Sequence, residues 1–404
     1  MANTWTVNDM AFHALDIFEN ELVAAKKCSR TLEKEFGVKG ANRGDTVRIR
    51  KPVQFTVRDG AAWSGQNIDE QYTSLTLNYQ KGIDFSMSSK ERKLDLDSLT
   101  EDLIRPAVVR LANEVDRIIL RDATQAVAQA VGTVASTPSS MQTYLDGGVL
   151  LTNQACPRGA KQRSVLMSAE MEGDIVQALA LYRNDPSKIS AQFNTAEMDI
   201  AAGMNWNLDQ NVYTHTYGTY AGTPKVNGAS QSGSSLITDG WSSGASTLNE
   251  GDIFTIANVY DVNPVTKQRL SNLKQFVVTS TISDSSGAMT IAISPSIVGP
   301  GDPYQNVNAL PANDANLNVR GTTGQISTQG LIMHKQAVTL AIVPLEQPDG
   351  VNQAAMKYDD KSGVGLRYIE WYDGDTDLWK SRFDVVFGLE TQRPEWATRV
   401  DAAG

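Results

Sequence analysis

Sulfur and imidazole are scarce in this chain of 404 residues: it has two cysteines, Cys28 and Cys156, and three histidines, His13, His215 and His334. The cysteines stand far apart with no CxxC and no Cys/His cluster, which excludes a disulfide framework and a thiolate zinc site and leaves two free thiols. The histidines sit in unrelated contexts, without HExxH or a neighbouring nucleophile, so structural roles are expected for all three. No GxGxxG, P-loop or GxSxG occurs, which removes the sequence support for phosphate cradling and for a hydrolase elbow. No apolar run approaches about 18 residues, so no membrane contact is expected. The opening MANTWTVNDM has neither a basic n-region nor an apolar h-region, and the expectation is a chain made and kept in the cytosol. Positive charge is in deficit: Lys and Arg number 36 against 46 Asp and Glu, a net charge of −10. That balance argues against a surface built to grip nucleic acid or an anionic membrane, since both need a concentrated positive field.

What the chain has in abundance is a helical pattern. From Asp97 to Val131, Leu99, Leu103, Ala107, Leu111, Val115, Ile118, Ile119, Ala126 and Ala130 recur mostly at intervals of three and four, one apolar stripe on a 3.6-residue period. Ser98 and Glu101 read as a capping box at its start. Arg105, Arg110, Asn113, Glu114, Arg117 and Arg121 occupy the other face, and the span predicts a rod of roughly 50 Å. Pro106 either kinks this helix or begins it. Residues 8–36 form a second amphipathic pattern, acidic at the front (Asp9, Asp16, Glu19, Glu21) and basic in the middle (Lys26, Lys27, Arg30), which suits the helix dipole. It is open to two readings, a solvated arm or a docking site for a basic partner.

After Gly44 the period drops to two. Val47 and Ile49, then Val53, Phe55 and Val57, alternate with Arg48, Arg50, Gln54, Thr56 and Arg58, and YTSLTLNYQKGIDFSMSS returns with Leu75, Leu77 and Tyr79 on one face. The product is a long, poorly covered ribbon that must pack on something else, such as another copy of the protein. Its arginines and Phe55 fit a solvated face, or one between copies, better than a nucleic-acid ribbon. Thr133–Leu151 reads as a loop, followed by the strand SVLMS and a helix from Ala169 to about Tyr182 capped by Ser168. From Thr219 to Ser327 only 12 of 109 residues are charged, about half the chain-wide density, and IFTIANV, QFVVTS and MTIAIS are β-branched segments between turns. This is the pattern of an all-β module, a sandwich or a barrel, inserted into another domain. AVTLAIV, VGLRYIEWY and RFDVVFGL close the chain as a sheet, the last two joined by DGDTD. Asp373, Asp375 and Asp377 have the spacing of early calcium ligands, but the glycine is misplaced and the bidentate Glu missing, so a hairpin turn is expected. No constellation that would carry catalysis, hold a metal or bind a cofactor emerges.

The order of elements, together with GDTVRIRKP at 44–52, RPAVVRLANEVDRIIL at 105–120, GLIMHKQAVTLAIVPL at 330–345 and DGDTDLWKSRFDVVFGLETQRPEWATRV at 373–400, resembles the major capsid proteins of tailed bacteriophages with the Hong Kong 97 fold. It is most similar to the short-tailed-phage coat proteins that carry an inserted β domain. The resemblance implies an α+β fold: an N-terminal arm (1–44), an E-loop hairpin (45–90), a spine helix with peripheral and axial core (91–218), an inserted immunoglobulin-like all-β domain (219–327) and a return to the core sheet (328–404). It implies a non-enzymatic coat protein that forms hexamers and pentamers of an icosahedral shell, assembled in the host bacterial cytoplasm and resident in the virion. The implied partners are further copies of itself, a scaffolding protein, a portal protein, a decoration protein in some relatives, and packaged double-stranded DNA held non-specifically. Asp16, Glu19 and Glu21 match the acidic arm through which some relatives meet a basic scaffold helix. Arg48, Arg50, Arg58 and Phe55 fall in the E-loop, which in such relatives reaches between neighbouring copies. The resemblance runs through Pro106, which favours a helix bent there over one begun there. Two alternatives are an encapsulin-like compartment shell and, from outside the fold, a β-rich hydrolase or carbohydrate-binding protein.

Overall fold

The long amphipathic pattern folds as an α-helix from Arg105 to Ala126 in a computed structural model that describes residues 7–31, 46–55, 57, 59–63, 65, 70–89, 103–159, 162–179, 200–343, 345–348, 353–359 and 364–404. At 22 residues the helix is about 33 Å long. Val108, Leu111, Ala112, Val115, Ile118 and Ile119 are buried along it, the stripe that the spacing predicts. Pro106 lies in the first turn, where its missing N–H has no intrahelical partner to lose. The α-helix therefore starts at this proline rather than bending at it, preceded by Leu103 and Ile104 in π-helical geometry. The Ser98–Glu101 capping box lies outside the described residues. At the far end the helix stops at Ala126, short of the expected Val131. Ala130 is instead clamped by Gln275, whose Oε1 accepts its N–H at 2.8 Å and whose Nε2 donates to its carbonyl at 3.0 Å. Ala130–Val131 then pairs in parallel with the closing strand Ala397–Ala403. Tertiary hydrogen bonds outweigh helix propensity there.

The chain divides into two compact units, residues 1–50, 72–119 and 338–390 in the first and 51–71, 120–337 and 391–404 in the second. The first unit is built on an antiparallel sheet in the order Thr339–Val343, Leu378–Glu390, Val364–Asp373, Gln353–Asp359, with Tyr79–Ser88 paired along Leu378–Glu390. The N-terminal helix Val7–Glu21 packs on the strands Gln353–Asp359 and Val364–Asp373, burying Ala11, Ala14, Leu15 and Phe18. It is thus an anchored helix on one side, not an arm solvated all round. The single helix expected over 8–36 breaks after Leu22, and its residues beyond 31 lie outside the description. At the break, the buried Asp116 carboxylate of the long helix accepts the backbone N–H groups of Val23, Ala24 and Ala25 at 2.6, 3.2 and 3.0 Å. It caps the turn Ala24–Lys27 from outside, supplying acceptors that the local sequence lacks.

The ribbon is shorter than its alternation suggests. Thr46–Arg50 pairs with Tyr72–Thr76, burying Val47, Ile49 and Leu75, but Val53, Phe55 and Val57 lie outside any strand. The return does not run as one strand either: it is interrupted at Leu77–Asn78, and Tyr79–Ser88 joins the main sheet. Gly388 permits the crossing, since a Cβ there would stand 2.1 Å from the Thr76 carbonyl oxygen.

In the second unit a mixed sheet runs Ala130–Val131, Ala397–Ala403, Ile326–His334, Arg163–Met167, Met204–Leu208, Ile200–Ala201. The αβ pair is as expected through Leu179, with Ser168 Oγ accepting the Met171 N–H at 3.4 Å. The stretch read as a loop over 133–151 contains a helix, Met141–Asn153, capped by Ser140. Its glycines misdirect the sequence reading, because Gly147 serves close packing: a Cβ there would meet Ile332 Cδ1 at 2.6 Å.

The β-rich stretch forms one six-stranded antiparallel sheet, in the order Leu317–Val319, Ile253–Val262, Arg269–Val278, Met289–Ile297, Gly233–Trp241, Gly222–Val226. Its two ends meet: Val226 N–H donates to Ala315 at 2.9 Å and Lys225 bridges Asn316. Leu236, Phe254, Ile256, Phe276 and Ile291 fill the interior. An immunoglobulin-like domain would be two sheets packed face to face; a single sheet closed on itself is a barrel, which leaves no free edges. Strand Tyr213–Thr216 enters the module and pairs with Ile326–His334, which leaves it, with Thr216 opposite Ile326.

Candidate functional site

Three regions gather the chemistry-bearing side chains. The first is a buried polar network at the root of the barrel. Arg399, fully buried on the closing strand, donates to the Gly251 carbonyl at 2.7 Å, the Gln125 carbonyl at 3.0 Å and Gln329 Oε1 at 3.2 Å. Gln329 Nε2 donates in turn to Asp401 Oδ1 at 3.0 Å, and Arg320 Nε reaches Asp401 Oδ2 at 2.7 Å. Beside them His215 Nε2 lies 2.8 Å from Asp252 Oδ1, while Asp252 Oδ2 accepts the N–H groups of Gly218 and Asn249. Burial brings the Arg399 guanidinium down to about 10, still a cation near neutrality. His215 is 1% exposed, so no substrate reaches this His–Asp pair; it fastens the first turn of the module to the strand that follows it. Spacing along the sequence offered no signal for this network, since its members come from five separate segments.

The second region is the outer face of the N-terminal helix. Asp16 and Glu21 are exposed and Glu19 is half-buried, while Ala14 and Phe18 on the other face are covered. The helix therefore presents its carboxylates outward, with Phe12 under the Lys357 ammonium at 4.1 Å.

The third is the loop between the ribbon strands. Arg48 and Arg50 are exposed on one side of their strand, and Arg50 stands 5.9 Å from the Tyr72 ring centre. Phe55 belongs with residues 51–71 of the second unit, and Arg58 lies outside the described residues. The candidates thus fall into two groups rather than one patch. Sequence reasoning passed over a larger feature: Phe55, Val57 and Trp63 are 62%, 96% and 88% exposed. The base of this loop, with the barrel and the turn Pro394–Trp396, bounds a cavity of about 830 Å³. Period-two reading gave no hint of it, because Trp63 sits in a Gly- and Ala-rich turn.

Elsewhere the polar groups are spent on one another. Asp373 pairs with Lys380 at 2.7 Å and accepts from Thr376, and Asp377 accepts from Ser89 and Tyr372, the hairpin-turn role. Among the described residues no group of three His, Cys, Asp or Glu side chains is placed to hold a metal ion. No described helix is long and apolar enough to cross a membrane. Charges matched internally and a bare apolar loop belong to a protein that works by contact with other protein surfaces.

The family comparison names that class. Residues 2–399 match the model of the P22 coat protein (gene protein 5) family. The chain belongs to this family: it is the major capsid protein of a tailed bacteriophage, and its place is the virion shell. Membership selects the coat-protein reading over the compartment-shell and hydrolase alternatives, and the family is one of structural proteins rather than enzymes. No curated protein matches the chain. Among solved structures, one from Mycobacterium phage Che8 is 15% identical, with 94% of this chain and 90% of that one covered, at a TM-score of 0.49. The bacteriophage PhiM1 mature capsid follows at 8% identity, 90% and 83% coverage and a TM-score of 0.46. A virus-like particle from Pyrococcus furiosus is 10% identical, covered at 97% on both sides, with a TM-score of 0.39.

Proposed function

We propose that this coat protein assembles as hexamers and pentamers of an icosahedral procapsid in the host bacterial cytoplasm, under the direction of a basic internal scaffolding protein that docks on Asp16, Glu19 and Glu21. The observation that carries the docking is the two-sided N-terminal helix. One face is anchored on the sheet while the carboxylates stand outward in a fixed array, so a basic helix meets a preformed partner and loses little entropy in ordering it. Arg48, Arg50, Arg58 and Phe55 serve contacts between neighbouring copies. The Hong Kong 97 arrangement divides the chain into arm (1–44), E-loop (45–90), spine and core (91–218), inserted β domain (219–327) and returning sheet (328–404). The pairing of Tyr213–Thr216 with Ile326–His334 supports the insertion, because a module that leaves and re-enters at adjacent strands adds to a sheet without breaking it. A portal protein, a decoration protein and non-specifically packaged double-stranded DNA complete the set of partners.

The test is electron microscopy of the protein expressed with and without its scaffolding protein, for the native chain and for Asp16→Lys combined with Glu19→Lys. The double variant should lose scaffold-dependent shells while its urea unfolding midpoint stays unchanged, both positions lying outside the buried face. Normal shell yield from that variant would remove the helix from the docking role.

A further inference from the structure

The exposed loop and the cavity beside it are complementary in shape, chemistry and charge. Trp63 is 88% exposed, an indole of about 150–250 Å² left in water. The loop leaves room for it: a Cβ at Gly65 would meet the Trp63 ring at 2.6 Å, so glycine lets the chain turn close under that indole. Single exposed aromatics of this size are the residues that anchor interfaces when a pocket receives them. The cavity of about 830 Å³ has such a lining, with Trp396, Tyr304 and Phe55 among its walls and Val265 at 74% exposure on it. Arg393 covers the Trp396 ring at 4.0 Å, a cation–aromatic stack ready to be extended by another ring.

Charge favours the same pairing. Residues 58–70 carry Arg58 against Asp59, Asp69 and Glu70. The cavity wall carries Lys267 and Arg393 against the one carboxylate of Glu395, Lys274 being matched already by Asp261 at 2.9 Å. The Lys267 ammonium is held by neutral oxygens, those of Gln54, Pro303 and Gln305, and keeps its charge unmatched by them. An acidic loop with an indole on it is thus matched by a positive, aromatic cavity.

We infer that Trp63 of one copy seats in the cavity of a second copy, against Trp396 and Val265, so that the loop of each copy plugs the next. The cavity rim includes Phe55 and Val57 from the base of the receiving copy's own loop. Tip and rim are different surfaces, so the contact is heterologous, and head-to-tail contacts of this kind close into rings when the rotation allows. The inference rests on the proposal that the loop at 45–90 joins neighbouring copies, and adds the receptor that it enters.

Cysteine cross-linking of assembled shells tests it. Shells carrying both Trp63→Cys and Val265→Cys, mildly oxidised and run without reductant, should give a ladder of covalent multimers. A mixture of the two single variants should stop at dimers, and the native chain, with Cys28 and Cys156 buried, supplies the background. In parallel, the emission that Trp63→Phe removes should be quenched by acrylamide several-fold less in shells than in monomers. Monomer bands alone, a link within one chain alone, or a Trp63 as quenchable in shells as in monomers would overturn the inference. Shell formation itself is read independently by electron microscopy, so a negative cross-link in well-formed shells strikes this contact and not the assembly proposal.

Discussion

Replacing Asp116 by asparagine should loosen the N-terminal segment from the long helix, and the geometry sets the size of the effect. Asp116 is 1% exposed, and its two oxygens take three backbone N–H groups, Oδ2 those of Val23 and Ala24 and Oδ1 that of Ala25. An asparagine keeps the shape but replaces one oxygen by an NH₂ donor. In its better orientation the amide oxygen faces Val23 and Ala24, leaving the Ala25 N–H opposite another donor. Orphaning one buried N–H costs about 1–3 kcal/mol, and the remaining two bonds lose their charge assistance. A net destabilisation of about 2–4 kcal/mol is expected for Asp116→Asn by those figures. Asp16→Asn, on the exposed side of the N-terminal helix, should stay within about 0.5 kcal/mol. Urea denaturation measures the total, and amide hydrogen exchange at Val23, Ala24 and Ala25 localises it, since these protons should exchange through a local opening that the carboxylate now suppresses. An Asp116→Asn protein with an unchanged midpoint and unchanged protection at those three amides would refute the external cap.

Gly388→Ala places a Cβ 2.1 Å from the Thr76 carbonyl oxygen, a backbone atom that cannot swing aside. The strand crossing should be forced apart at about 3 kcal/mol, seen as a lower urea midpoint, and a midpoint within error of the native one would remove the close approach as the reason for that glycine. His334 sets a pH dependence. The Gln336 N–H donates to its Nδ1 at 3.2 Å, which fixes a neutral ring, and burial, with Arg163 and Arg393 adding to it, pushes its pKa below the ordinary 6.5. The folded value lies below the unfolded one, so the contribution is present above about pH 6.5 and is lost as pH falls toward the folded value. Stability should decline between about pH 6.5 and 5 in the native chain, and His334→Gln should flatten that slope; an unaltered slope would assign it to other groups.

Periodicity made the elements that pack by one face legible. The long helix, the αβ pair and the paired strands around DGDTD each carry a repeating apolar side, and each forms as the spacing predicts. The misreadings have a common cause: at Gly147, Gly388 and Ala130 the decisive partner is distant in sequence. Gly147 and Gly388 look like loop or breaker residues because a glycine that admits a neighbouring strand is indistinguishable, within its own segment, from one that turns the chain. Ala130 continues a helical stripe by every local measure, yet Gln275 takes both of its backbone groups for a sheet. The Val53–Val57 alternation failed for the opposite reason, having no neighbouring strand to pair with and so no ladder to enforce it.

The same distinction separates the legible from the hidden parts of the candidate surfaces. Asp16, Glu19 and Glu21 could be found from sequence because exposure on an amphipathic helix is fixed by its own period. Trp63 and the cavity could not, because one is a bare aromatic in a turn and the other is assembled from the barrel, the Pro394–Trp396 turn and the loop base, segments more than 300 residues apart at the extremes. An aromatic in a glycine-rich turn nevertheless carries information once solvent exposure is known. A monomer gains nothing by holding an indole in water on a surface turn, whereas a protein that closes rings with its own copies recovers that exposed area at every contact.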